Sequence, residues 1–136
     1  MSVRYLNPEN HLPPQGRYSH VAIAEPGRLA FIAGQVALDA NGELVGPGDV
    51  AAQFPQVFSN IGAVLAGIGA GFHDIVELTT YLVGEQSRAP WLEARNAVYR
   101  EHFADGPYPP NTLLIISGLV RPEMRVEVSA VVRLPG

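Results

Sequence analysis

The closing run Arg125 to Arg133 (Arg-Val-Glu-Val-Ser-Ala-Val-Val-Arg) is β-type, with one carboxylate, Glu127, set among its valines. A short strand, Asn111 to Ser117, precedes it and is entered from the double proline Pro109-Pro110. β-Branched residues at this density fit a pleated, half-buried surface. A chain that ends this way must supply other strands to pair with the run and a layer to cover it.

The rest of the chain provides both. Tyr5-Leu6 reads as a short segment ending at Asn7-Pro8, and the stretch to Gly16, with Pro13 and Pro14, reads as loop. Tyr18 to Ala24 alternates, Glu25-Pro26-Gly27-Arg28 is turn chemistry, and Leu29 to Val36 is a second strand, so the two predict a hairpin. Asp39 to Glu43 is a further turn around Asn41-Gly42. Asp49 is a candidate N-cap for a helix over 50–68, closed by Gly69 or Gly71. Phe54, Val57, Phe58, Ile61, Val64, Leu65 and Ile68 fall on one face of that helix, and Pro55 is expected to kink it or shift its start. Ile75 to Val83 predicts a strand ended by Gly84. Arg88 to Phe103 predicts a second amphipathic helix, anchored by Trp91, Leu92, Ala94, Val98, Tyr99 and Phe103 and stopped at Asp105-Gly106-Pro107.

The order β-β-β-α-β-α-β-β predicts an α+β domain spanning 1–136, a mixed sheet of about six strands with two helices on one face. Ala30, Ile32, Leu114, Ile116 and Val128 are too apolar for every sheet face to meet water, which predicts a homo-oligomer.

With 136 residues, one packed core needs no staples. There is no cysteine, which removes disulfides and thiolate chemistry and fits a reducing compartment. A net charge of −4, with nine arginines scattered and no lysine, disfavours a nucleic-acid partner. No apolar stretch approaches the ~18 residues of a membrane span, and the N-terminus lacks a signal-type apolar region. A soluble, cytoplasmic protein is expected.

Seven short motifs, in order along 7–134, resemble the RidA/YjgF family of enamine/imine deaminases. They are Gly16-Arg17-Tyr18-Ser19, Ile32-Ala33-Gly34-Gln35, Asp49 to Gln53, Asn60-Ile61, Gly71-Phe72 with Asp74-Ile75-Val76, Asn96 to Tyr99, and Val126-Glu127-Val128. The resemblance implies a chorismate-mutase-like fold and a homotrimer with three inter-subunit clefts. It also implies a small-molecule ligand and hydrolysis of imines such as 2-iminopropanoate to a keto acid and ammonia, without metal or organic cofactor.

By the same resemblance, Glu127 matches the family glutamate that shuttles protons to and from water. Such a role needs a pKa above the usual ~4.3, and burial would move it that way. A strand glutamate facing water is the plain alternative. Tyr18 matches a cleft-lining tyrosine, though a half-buried tyrosine is also ordinary core. Gly34 fits close backbone approach to a ligand, or a bulge. Asn96 matches a cleft asparagine, and a mid-helix asparagine implies some polar role, functional or structural.

The departures narrow the chemistry. Asn111 stands where the family arginine clamps the substrate carboxylate, Leu113 where a small or thiol residue is usual, and Ala33 where serine is common. Losing one charge-assisted contact of ~1.5–3 kcal/mol weakens binding ~10- to 150-fold. The segment between Asn111 and Glu127 is also one residue longer than usual, which reshapes 119–123. Arg17 or Arg121 are the candidate replacement cations, against the ordinary reading of surface arginine. The histidines at 11, 20, 73 and 102 lack metal-ligand spacing, no serine sits in a Gly-x-Ser-x-Gly elbow, and Gly67 to Gly71 follows a helix, unlike a phosphate loop. Three readings follow: a deaminase acting on an imine other than 2-aminoacrylate, a ligand-binding module without turnover, and a ribonuclease or translation inhibitor, which the acidic charge disfavours.

Overall fold

A computed structural model describes residues 2–136, leaving Met1 outside. Six strands and two helices follow in the order β1 (Val3–Leu6), β2 (Val21–Ala24), β3 (Leu29–Gln35), α1 (Val50–Gly67), β4 (Ile75–Val83), α2 (Arg88–Phe103), β5 (Asn111–Ile116) and β6 (Val126–Arg133). The α+β class is as expected, with the strands divided between a two-stranded sheet, β1-β2, and a four-stranded sheet ordered β3-β6-β4-β5.

The closing run lies where its composition demands. Strand β6 is internal, antiparallel to β3 on one side and to β4 on the other. Its residues alternate: Val126, Val128, Ala130 and Val132 are buried under the helices, while Glu127, Ser129, Val131 and Arg133 face the opposite way. Strands β4 and β5 pair in parallel, the connection α2 serving as the crossover that parallel pairing requires.

Asp49 caps α1, its carboxylate accepting from the N–H groups of Ala51 and Ala52 at 3.1 and 3.2 Å. At the other end Gly69, with φ +73°, lets Ala70 N–H reach Leu65 C=O and Gly69 N–H reach Ala66 C=O, a Schellman closure. Pro55 does not shift the start: the cap sets α1 one and a half turns earlier, and the helix runs on through it. Phe54, Val57, Phe58, Ile61 and Leu65 are fully buried, whereas Ile68, at the cap, is exposed. They meet Trp91, Tyr99 and Phe103 of α2 in one aromatic cluster, with Phe54–Trp91 and Phe58–Tyr99 centroids 5.6 and 5.7 Å apart. Each such buried side chain contributes ~1.5–3 kcal/mol, so this cluster clamps the two helices to each other.

The expected β2–β3 hairpin does not form. β2 pairs with β1, and β3 pairs with β6. The turn between them is instead held by Arg133, whose guanidinium donates to the carbonyls of Glu25 and Pro26 at 3.2 and 2.6 Å. It fills the place a side chain at Gly27 would take, a Cβ there standing 2.7 Å from Nε. The turn chemistry is real, but it reverses the chain between two sheets. Tyr5 ties the small sheet to the large one, its hydroxyl donating to Ile75 C=O at 2.6 Å.

Candidate functional site

On the face of the large sheet away from the helices, the pairing register sets Leu114, Tyr81 and Glu127 side by side across β5, β4 and β6. Gly34 completes the row. A Cβ at position 34 would lie 2.2 Å from Glu127 Oε2 and 2.5 Å from Cδ, so the carboxyl rests on the glycine backbone itself. The register of β3 against β6 breaks between Ile32 and Gln35, and the irregularity brings Gly34 over Glu127. The irregularity fits the bulge reading of Gly34, and the group that lies against its backbone is the Glu127 carboxyl. Ala33 is exposed beside it. One register step along the face, Phe31, Glu77, Thr79, Ser129 and Val131 line a shallow trough of about 220 Å³.

Glu127 is half-buried, at neither of the extremes expected from sequence. The face around it is apolar for a surface: Phe31 is 74% exposed and Leu114 41%. Of the residues expected to make this face sticky, Leu114 and Ile116 do lie on it. Ile32 and Val128 point into the core instead, and Ala30 packs against it.

A second group gathers on the helix side. Arg17 leaves the loop after Gly16 and donates from Nε to Asn96 Oδ1 at 2.7 Å and from Nη1 to the Tyr108 hydroxyl at 3.0 Å. Arg95 reaches the same Asn96 oxygen from Nη2 at 3.4 Å. Its guanidinium lies over the rings of Trp91 and Tyr99, 5.3 and 5.9 Å from their centroids. The polar role expected of the mid-helix Asn96 is thereby met, since it accepts from two guanidinium groups at once. Tyr18 packs alongside, its ring 3.9 Å from a Cβ built on Gly16 and its hydroxyl accepting from Gln15 N–H at 3.2 Å. Asn111 opens β5 on this side of the sheet, three residues after Tyr108, and its Oδ1 accepts from the Thr80 hydroxyl at 2.8 Å. Leu113 is half-buried against the core. Arg121 lies exposed in the loop before β6 and makes no side-chain hydrogen bond among the described residues.

Within one protomer the sequence-derived site residues therefore fall into two groups on opposite faces of the sheet. Glu127, Gly34 and Ala33 are on one; Arg17, Tyr18, Asn96, Asn111 and Leu113 are on the other. Arg95 is the member that sequence reasoning missed. The available signal was the spacing of Trp91, Arg95 and Tyr99, four residues apart on one stripe of α2. Among the described residues, no cluster of three or more His, Asp or Glu side chains has the arrangement to hold a metal ion. No helix among the described residues is long and apolar enough to cross a membrane.

The model of the family described as endoribonuclease L-PSP matches residues 8–134. The chain is 33% identical to RutC family protein slr0709 of Synechocystis over 136 residues, 99% of each chain. Among solved structures, YyfB of Yersinia pestis, described as a protein of unknown function of the conserved Rid family, superposes with a TM-score of 0.84 at 37% identity, covering 98% of this chain and 100% of its own. The YjgF gene product of Escherichia coli superposes at 0.68 with 24% identity over 96% and 98% of the two chains, a likeness of fold alone.

Proposed function

Because the chain belongs to the RidA/YjgF/RutC family, the one described as endoribonuclease L-PSP, we propose that it is a cytoplasmic hydrolytic deaminase of an enamine or imine other than 2-aminoacrylate. It works as a homotrimer whose clefts lie between subunits. The observation that carries this reading is the Glu127 carboxyl laid on the Gly34 backbone in the middle of an apolar sheet face. The split of the site residues supports the cleft. Two groups on opposite faces of one sheet meet only if the open face of one protomer faces the helix side of another.

In such a cleft Glu127 takes a proton from water as the oxygen attacks the imine carbon, and the C=N bond becomes a C–N single bond. It then returns that proton to the nitrogen, giving a carbinolamine. Glu127 next carries the hydroxyl proton of the carbinolamine to the amine, so the C–N bond breaks, ammonia leaves and the carbonyl forms, and atoms and charges balance without any oxidant.

A ligand-binding module without turnover is the second reading. Asn111 favours it: the residue in the clamp position carries no charge, and its oxygen is already engaged by Thr80. RNA cleavage, named in the family description, is disfavoured by the net charge of −4.

The test is release of ammonia and keto acid from freshly generated 2-aminoacrylate and from bulkier imino acids, for the wild type and Glu127→Ala. Turnover on a bulkier substrate, lowered ~10²-fold or more in the variant, is expected. Turnover that survives Glu127→Ala removes the proposed base. Binding of a metabolite without turnover on any imine supports the module.

A further inference from the structure

The helix-side group is rich in hydrogen-bond donors and short of acceptors. Trp91 Nε1, Arg95 Nε and the Tyr99 hydroxyl are buried with no partner, and all three belong to one stripe of α2. Buried polar groups left in this state are uncommon and costly. Two guanidinium groups converge beside them on a single neutral oxygen, that of Asn96. The ion pairs among the described residues, His73–Asp74 and Arg88–Glu85, involve neither Arg17 nor Arg95. Burial lowers the pKa of Arg95 and the charge of Arg17 lowers it further, while Tyr99 and Tyr108 act the other way. Two like charges are thus held together without a carboxylate partner among the described residues.

We infer that Arg17 and Arg95 form a two-guanidinium clamp for a carboxylate, standing in for the single strand arginine whose place Asn111 occupies. Arginine suits this work because its planar fork meets both oxygens of a carboxylate. Asn96 orients the pair, and Tyr108 fixes the far side of Arg17 through its hydroxyl. The aromatic floor of Trp91 and Tyr99 keeps Arg95 from turning toward solvent. Deepening the deaminase reading, the clamp makes the substrate an imino or keto acid held by its carboxylate from α2 and the Gly16–Tyr18 loop rather than from β5. The shallow trough on the opposite face takes no part in it.

The carboxylate has two sources, a free acid or an acidic side chain of a second copy, and the experiment separates them. Trp91 is the only tryptophan in the chain and lies against Arg95, so its fluorescence reports on the clamp. Wild type, Arg17→Gln and Arg95→Lys are titrated with butanoate and with the uncharged butanamide, while sedimentation follows the assembly state and circular dichroism the fold. Saturable quenching by butanoate but not butanamide, weakened about tenfold or more in Arg17→Gln with assembly unchanged, supports the clamp. Weakening in Arg95→Lys, which keeps the charge and loses the fork, supports it further. Absence of any response overturns the proposal. So does a change of assembly state in Arg17→Gln without a butanoate response, because the carboxylate then comes from a neighbouring copy. Arg17 lies in a loop, so this variant tests the clamp even if Arg95→Lys fails to fold. Glu127→Gln separates the two readings: it is expected to keep butanoate binding and lose imine turnover. Binding with no turnover on any imine leaves the clamp standing and removes the deaminase. Turnover without binding does the reverse.

Discussion

At the scale of single residues, the contact that most constrains the proposed chemistry is between Glu127 and Gly34. A methyl group at position 34 would need the space now held by Oε2. The carboxyl ends a flexible side chain, so it can move aside without disturbing the strands. Gly34→Ala is therefore expected to fold with nearly the melting temperature of the wild type but to displace the carboxyl by about an ångström. Displacement of that size costs ~10²-fold in rate when the group transfers protons. The measurement is kcat beside thermal unfolding. A variant that unfolds early and keeps its kcat contradicts the assignment. Glu127 was legible in the sequence as a lone carboxylate in an apolar strand, and Asn96 as a polar residue in a helix that gains nothing from it locally. Arg95 was not legible, because an arginine on an amphipathic helix is ordinarily solvated. Only the folded chain brings Arg17, 78 positions earlier, onto the same oxygen.

At the scale of elements, features set by neighbours in sequence were readable and those set by distant partners were not. The cap at Asp49, the apolar stripe of α1 and the extents of β4 and α2 rest on residues within a turn or two. The turn between β2 and β3 is held by Arg133, at the other end of the chain, and turn chemistry alone does not reveal that β2 pairs with β1. Gln53 is another such case. It is fully buried in α1, its amide donating to Gly46 C=O and Glu123 C=O at 2.9 Å each and accepting from Arg125 N–H at 2.7 Å. This side chain, with the bond from Gly48 N–H to Glu123 C=O, pins the loop before β6 to the start of α1. Gln53→Leu keeps the volume but leaves Arg125 N–H without a partner, while the Gly46 and Glu123 carbonyls each lose one bond and keep the backbone N–H groups of Asp49 and Gly48. At ~1–3 kcal/mol for the one donor left dry and ~0.5–1.5 kcal/mol for each of the two bonds lost, a loss of about 2–4 kcal/mol is expected in chemical denaturation. A loss below 1 kcal/mol would mean that the loop holds its place without Gln53.

At the scale of the whole molecule, the sheet acts as a partition. Its helix side carries Arg17, Arg95, Asn96 and Asn111, its open side carries Glu127, and the sheet with its core keeps them apart within each protomer. A homotrimer resolves this only through heterologous contacts, the open face of each copy meeting the helix side of the next. That arrangement makes each cleft half one protomer and half another, which leads to a complementation test. Glu127→Gln and Asn96→Ala damage opposite halves. When the two inactive variants are unfolded together and refolded as mixed trimers, a cleft regains both intact halves whenever an Asn96→Ala protomer supplies Glu127 and a Glu127→Gln protomer supplies Asn96. Random equal mixing gives about one such cleft in four. Roughly a quarter of wild-type deaminase activity is therefore expected after refolding together, and none when the two variants are refolded apart and then combined without exchange. If both halves belonged to the same protomer, every cleft in the mixture would carry one lesion. Activity would then stay at the level of the single variants at any mixing ratio.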